Sequence, residues 1–155
     1  MNSLNKLTKK DSFKRGADEI LISSAPFCYT NSMIKEVLVL RNYAHIGDSV
    51  WEVFVRTYTI YKTSNSKLLH KITTERVNAT FQKDLLNFLI PSLTEDEQEL
   101  ARRARNLPIP VGRRSIQADY RQATAFEVLI GYWYLHQRER LEEIYNIIKT
   151  NEMFI

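Results

Sequence analysis

Residues 33–61 read MIKEVLVLRNYAHIGDSVWEVFVRTYTIY and are apolar nearly throughout. The pattern is helical, without the two-residue alternation of a half-buried strand. Nothing later in the chain alternates either. Four glycines and four prolines in 155 residues leave few places to turn, which favours long helices over a many-turned β fold. A chain of this length, 44% hydrophobic and 26% charged, is expected to fold as one all-α domain around a single core.

The helices can be placed from their punctuation. Gly47 disfavours a helix interior, so the opening stretch is split at Ala44–Gly47. Its second half, Asp48 to about Tyr61, should be largely buried. Ser66 is expected to cap a long helix over 67–89 that carries an internal bend and ends at Pro91. Thr94 and Glu97 stand three apart before an apolar run, the signature of a capping box. Residues 107–117 hold Pro108, Pro110 and Gly112 and read as a loop. Helices over 119–137 and 138–154 complete the chain. Residues 1–32 lack sustained periodicity beyond a short helix near Ala17–Ile22. They read as a loosely ordered extension before a domain spanning 33–155.

Several chemistries are excluded. The single cysteine, Cys28, rules out an internal disulfide or a multi-cysteine zinc site. His45, His70 and His136 stand at no metal-ligand spacing. There is no phosphate-cradling glycine loop and no serine elbow. No apolar run approaches the roughly 20 residues that span a bilayer. The N-terminus lacks the apolar core of a secretory signal. No membrane association is expected. A cytoplasmic location is, with the plastid stroma as the alternative.

Carboxylates inside apolar helices are the informative feature. Asp48 and Glu52 lie four apart, on one helix face, among Val50, Trp51, Val53, Phe54 and Val55. Glu127 sits in TAFEVLIGYWYL. An acid in such surroundings calls for a partner, either an arginine or a metal ion. Two readings fit Asp48, an N-cap or a ligand. Two fit Glu52, a salt bridge to Arg56 or a functional acid. For Glu127 the structural reading is weaker, and Gly131 one turn later would let another helix approach closely. Two carboxylates meeting between packed helices make a hard-oxygen site suited to Mg²⁺.

The net charge is only +4, but it is concentrated. Between Ala101 and Arg121 stand Arg102, Arg103, Arg105, Arg113, Arg114 and Arg121 against one acid, Asp119, six against one. Guanidinium groups bind phosphate in bidentate fashion, so this cluster points to a polyanion. Arg102 and Arg103 also suit a helix C-terminus. Together the features describe an all-helical, Mg²⁺-dependent enzyme acting on nucleic acid.

The motifs then resemble a known family. YAHIGDSVWEVFVR and ATAFEVLIGYWYL are similar to the two signature segments of the ribonuclease III catalytic domain. HIGDSVWE, LLHKITTERVNA, LTEDEQELARRARN, YRQATAFEVLIGYWYL and ERLEEIY resemble, in order, the segments of its Mini-III branch. The resemblance covers about Ile34 to Ile148. It implies a two-fold symmetric homodimer and Mg²⁺-dependent cleavage of double-stranded RNA, with Mn²⁺ able to substitute. It implies 5′-phosphate and 3′-hydroxyl products and a precursor 23S ribosomal RNA substrate. Asp48 falls on the catalytic aspartate and Glu127 on the metal-binding glutamate. Longer members carry two further acids where Ala44 and Thr124 stand here, so more of the metal's shell is left to water. Glu52 and Thr124 become auxiliary candidates. The 20 residues after Leu135 leave no room for the RNA-binding domain of the longer enzymes, so the arginines should supply much of the grip. Trp51 and Trp133 fit either a dimer interface or the core. A non-catalytic RNA-binding protein that keeps the fold is the alternative, but it has no need of both carboxylates. A helical protein-interaction module leaves Glu127 unexplained.

Overall fold

The computed structural model describes residues 32–108, 117–152 and 154. Six α-helices are α1 (Ser32–Thr59), α2 (Ser66–Val77), α3 (Ala79–Leu89), α4 (Glu95–Arg105), α5 (Gln117–His136) and α6 (Arg138–Lys149). A single 3-10 turn, Ile90–Ser92, joins α3 to α4. No strand occurs among the described residues. The extension expected over 1–32 lies, but for Ser32, outside them. So does the short helix near Ala17–Ile22.

Helix α5 is central because it is apolar nearly all round. Ala123, Ala125, Phe126, Val128, Leu129, Ile130, Gly131 and Trp133 are all buried. A helix this apolar must be covered over most of its surface, the face that carries Arg121, Thr124 and Glu127 excepted. α1, α3, α4 and α6 supply that cover. Trp51 and Trp133 are both fully buried. Each indole N–H finds an acceptor, the Arg76 carbonyl at 3.0 Å and Glu97 Oε1 at 2.8 Å. The tryptophans are therefore core residues and leave any interface to other side chains.

Two expectations about α1 fail for one reason. The helix runs unbroken for 28 residues through Gly47. Gly47 is kept for close approach rather than as a breaker. A Cβ there would fall far inside contact distance of the Glu127 carbonyl oxygen, and 2.9 Å from the Gly131 nitrogen. A Cβ on Gly131 would strike the Tyr43 carbonyl. The two glycines thus set α1 and α5 backbone to backbone. Asp48 is consequently a mid-helix residue, and its reading as an N-cap is overturned. The second half of α1 is also only partly buried. Trp51, Val55 and Thr59 face the core, while Val53 is 64% and Ile60 55% exposed.

Other boundaries follow the sequence closely. The bend expected within 67–89 is a break at Asn78, which ends α2 and caps α3 by accepting from the Phe81 N–H at 2.9 Å. The cap of α2 is Asn65 rather than Ser66. Its side-chain oxygen accepts from the Leu68 N–H at 3.0 Å. Helix α6 stops at Lys149, short of 154, yet Phe154 returns into the core.

The capping box at Thr94 forms in full. Its Glu97 does more than cap. It is buried and accepts from Arg140 on α6, at 3.0 Å from both Nε and Nη2, as well as from Trp133 on α5. Burial works against the charge, but hydrogen bonds from Arg140, the Thr94 N–H and Trp133 outweigh it and hold the carboxyl below the usual range. Glu97→Gln should therefore cost about 2 kcal/mol, because the buried carboxylate is lost while the shape is kept, leaving Arg140 only the exposed Glu143 as a charged partner. Urea unfolding at two pH values checks this. The native advantage should be present above the ordinary glutamate range and vanish as pH falls through the lowered value.

Candidate active site

The contact at Gly47 and Gly131 places the next residues of both helices together. Asp48 on α1 and Glu127 and Thr124 on α5 line one cavity of about 200 Å³. Ala44, Ala104, Arg105, Leu107, Pro108 and Arg121 complete much of the wall. Helix periodicity explains the sharing. Residues 41, 44, 45 and 48 fall on one face of α1, and 120, 121, 124 and 127 on one face of α5.

Asp48 is exposed at the cavity mouth, yet its carboxyl is pushed above the ordinary aspartate value. Partial burial is the main cause, and the Glu52 carboxylate adds to it. His45 opposes the shift. This is a carboxylate whose surroundings favour a cation beside it. Among the described residues no group of three or more His, Cys, Asp or Glu side chains is arranged to hold a metal. The candidate donor set is thus two acidic oxygens sources, Asp48 and Glu127. That fits a hard divalent ion such as Mg²⁺, which keeps several waters and uses few protein carboxylates.

Glu52 does not line the cavity. Its Oε1 accepts from Arg56 at 2.5 Å and 3.1 Å, the salt bridge that spacing allows. It acts on Asp48 through its charge alone. The arginine cluster divides. Arg105 and Arg121 line the cavity. Arg102 is held by Glu99, with both bonds at 2.6 Å, and Arg103 by Glu36. Arg113 and Arg114 lie outside the described residues. Three polar lining residues went unrecognised as such in the sequence, Arg41, His45 and Tyr120. Arg41 stands two turns before Asp48, and reading α1 as continuous would have revealed it.

A model of the ribonuclease III domain matches residues 41–138, which spans both walls of this cavity. The chain belongs to the ribonuclease III family. It is similar to several Mini-ribonuclease 3 proteins. The Mini-ribonuclease 3 of Gloeobacter violaceus is 42% identical over 110 residues, covering 71% of this chain and 82% of that one. That of Clostridium tetani is also 42% identical over 110 residues, covering 68% and 72%. A crystal structure of a Fusobacterium nucleatum protein superposes with a TM-score of 0.61 at 33% identity, over 68% of this chain and 87% of that one. Ribonuclease III enzymes use a divalent metal and act on double-stranded RNA. No helix among the described residues is long and apolar enough to cross a membrane.

Proposed function

We propose that this ribonuclease III family member is a Mg²⁺-dependent endoribonuclease that hydrolyses double-stranded RNA, with precursor 23S ribosomal RNA as substrate. The observation that carries the reading is the convergence of Asp48, Glu127, Arg105 and Arg121 on one cavity. Acids to hold a metal and guanidinium groups to hold phosphate are what a phosphodiester hydrolase needs in one place. A magnesium ion held by Asp48 and Glu127 would supply Lewis acidity and lower the pKa of a bound water. The chain's own part is to orient. Arg105 and Arg121 neutralise phosphate oxygens beside the carboxylates, and the Thr124 hydroxyl offers a donor or acceptor on the same wall. Glu52 keeps an auxiliary electrostatic role, adding its charge to the burial that raises the Asp48 carboxyl.

The alternative of a non-catalytic RNA-binding protein is disfavoured by Asp48. Partial burial and a neighbouring acid make its carboxylate unfavourable, and RNA binding would be better served without it. The test is incubation of the purified chain with a duplex RNA, its single strands and a DNA duplex of matching sequence. With Mg²⁺ or Mn²⁺ only the RNA duplex should be cut, giving 5′-phosphate and 3′-hydroxyl ends, and EDTA should stop the reaction. An inert chain under both metals sinks the enzyme reading.

We also infer a homodimer. Two sites, one for each strand, match the approximate two-fold symmetry of a duplex backbone. Val53 projects from α1 at 64% exposure, beside a groove formed with Val50, Phe54, Tyr58, Tyr134 and Leu141. An apolar face of this kind suits a second copy. Val53→Glu would bury a charge there. Light scattering should then find mainly the 18.2 kDa single chain at concentrations where the parent is twice that. An unchanged mass removes this face from the interface.

A further inference from the structure

We propose that Arg41 and Arg121 form a preset clamp for a phosphate of the strand being cut. This rests on the reading of the chain as an enzyme acting on RNA. Both arginines line the cavity that holds Asp48 and Glu127, one reaching it from α1 and the other from α5. Each is anchored on the backbone of the same short stretch. Arg41 Nη2 donates to the Pro108 carbonyl at 2.7 Å, and Arg121 Nη1 to the Arg105 carbonyl at 2.5 Å. Arg102 and Arg103 differ, since carboxylates hold them.

The anchors have a chemical consequence. A guanidinium group carries five N–H donors in a rigid fork. One bond to a carbonyl fixes the plane of the fork and leaves other donors for a second acceptor. A neutral carbonyl also leaves the positive charge unneutralised. The loss of side-chain freedom is then largely met before ligand arrives, which is how preorganisation raises affinity. A single phosphate offers several acceptor oxygens, so two forks from different helices can grip it together. Arg105 and Arg121 also line a second, shallower groove with Lys83, Asn106 and Gln122. The flanking strand has donors to lie along there, although Lys83 is already held by Asp119 and Asp84.

The clamp separates from general basic character in experiment. The full chain is titrated with a short labelled duplex RNA in EDTA across a range of salt, and single-turnover cleavage is followed in Mg²⁺. Arg41→Gln and Arg121→Gln should each weaken binding about tenfold and lower the salt slope by about one. Arg102→Gln should change neither. Arg41→Lys should recover the slope but not the cleavage rate, because an ammonium lacks the fork. Arg41→Gln binding like the parent, with the same slope, would overturn the clamp and leave Arg41 as an anchor for Pro108. Circular dichroism melting checks folding. If Arg41→Gln melts too low to assay, Arg41→Lys decides, and a parental cleavage rate in it overturns the proposal. A parent that neither binds nor cuts duplex RNA overturns the functional reading itself. An active parent with unaffected arginine variants overturns the clamp alone.

Discussion

Asp48→Asn should abolish cleavage, by about three orders of magnitude or more, while binding of duplex RNA persists. The substitution keeps size and hydrogen-bonding capacity but removes one of two candidate metal-binding carboxylates. A charged ligand oxygen is replaced by a neutral amide, and Lewis-acid chemistry worth several kcal/mol is lost with the ion. The same substitution should raise the melting temperature slightly. Asp48 is pushed up by partial burial and by Glu52, so its carboxylate is disfavoured in the folded chain. A carboxyl with a raised folded pKa binds more protons when folded, so stability falls as pH rises from the ordinary aspartate range through the raised value. Removing the charge removes that loss. The gain in melting temperature should therefore be seen at neutral pH and disappear in acid. A variant that is inactive because it is misfolded would melt lower instead. Single-turnover kinetics and melting curves at two pH values distinguish the outcomes.

The second large effect is structural. Gly131→Ala should destabilise the chain by about 3 kcal/mol, despite a helix propensity that favours alanine by about 1 kcal/mol. The added Cβ would meet the Tyr43 backbone carbonyl and come to 3.0 Å from Ile46 Cγ2. Backbone cannot swing aside as a side-chain tip can. α1 and α5 would have to separate, and they carry Asp48 and Glu127 respectively. Activity should fall along with stability, even below the melting transition. Gly47→Ala is expected to behave alike, since its Cβ meets the backbone of Glu127 and Gly131. Chemical denaturation measures the cost. A melting temperature equal to or above the parent's would show that propensity wins and that the close approach is softer than the geometry states.

The same glycines show where sequence reasoning worked and where it did not. All-α architecture was legible because helical pattern and scarce turn residues agree along the chain. The capping box at Thr94 was legible in full, since its chemistry is contained within four residues. Gly47 was misread because propensity is local and close approach is not. Nothing near Gly47 in sequence announces that Glu127 and Gly131 will press against it. That error carried others. A split at Gly47 left a cap open as one reading of Asp48, and it hid Arg41, two turns back on the same face. Which arginines of the cluster line the cavity was hidden for a related reason. Arg103 lies two positions from Arg105, about 200° round the helix, and pairs with Glu36, while Arg102, one turn before Arg105, is taken up by Glu99. Glu127, which does line the cavity, stood out as a candidate because an acid among so many apolar neighbours has little local explanation.

The central claim is that Asp48 and Glu127 act as one unit. It is tested most directly by single-turnover cleavage of duplex RNA by the parent, Asp48→Asn, Glu127→Gln and the double variant, all with RNA binding intact. If both carboxylates serve one metal-dependent step, each single variant should lose nearly as much rate as the double. Losses that multiply in the double variant, or substantial cleavage by either single variant, would contradict it.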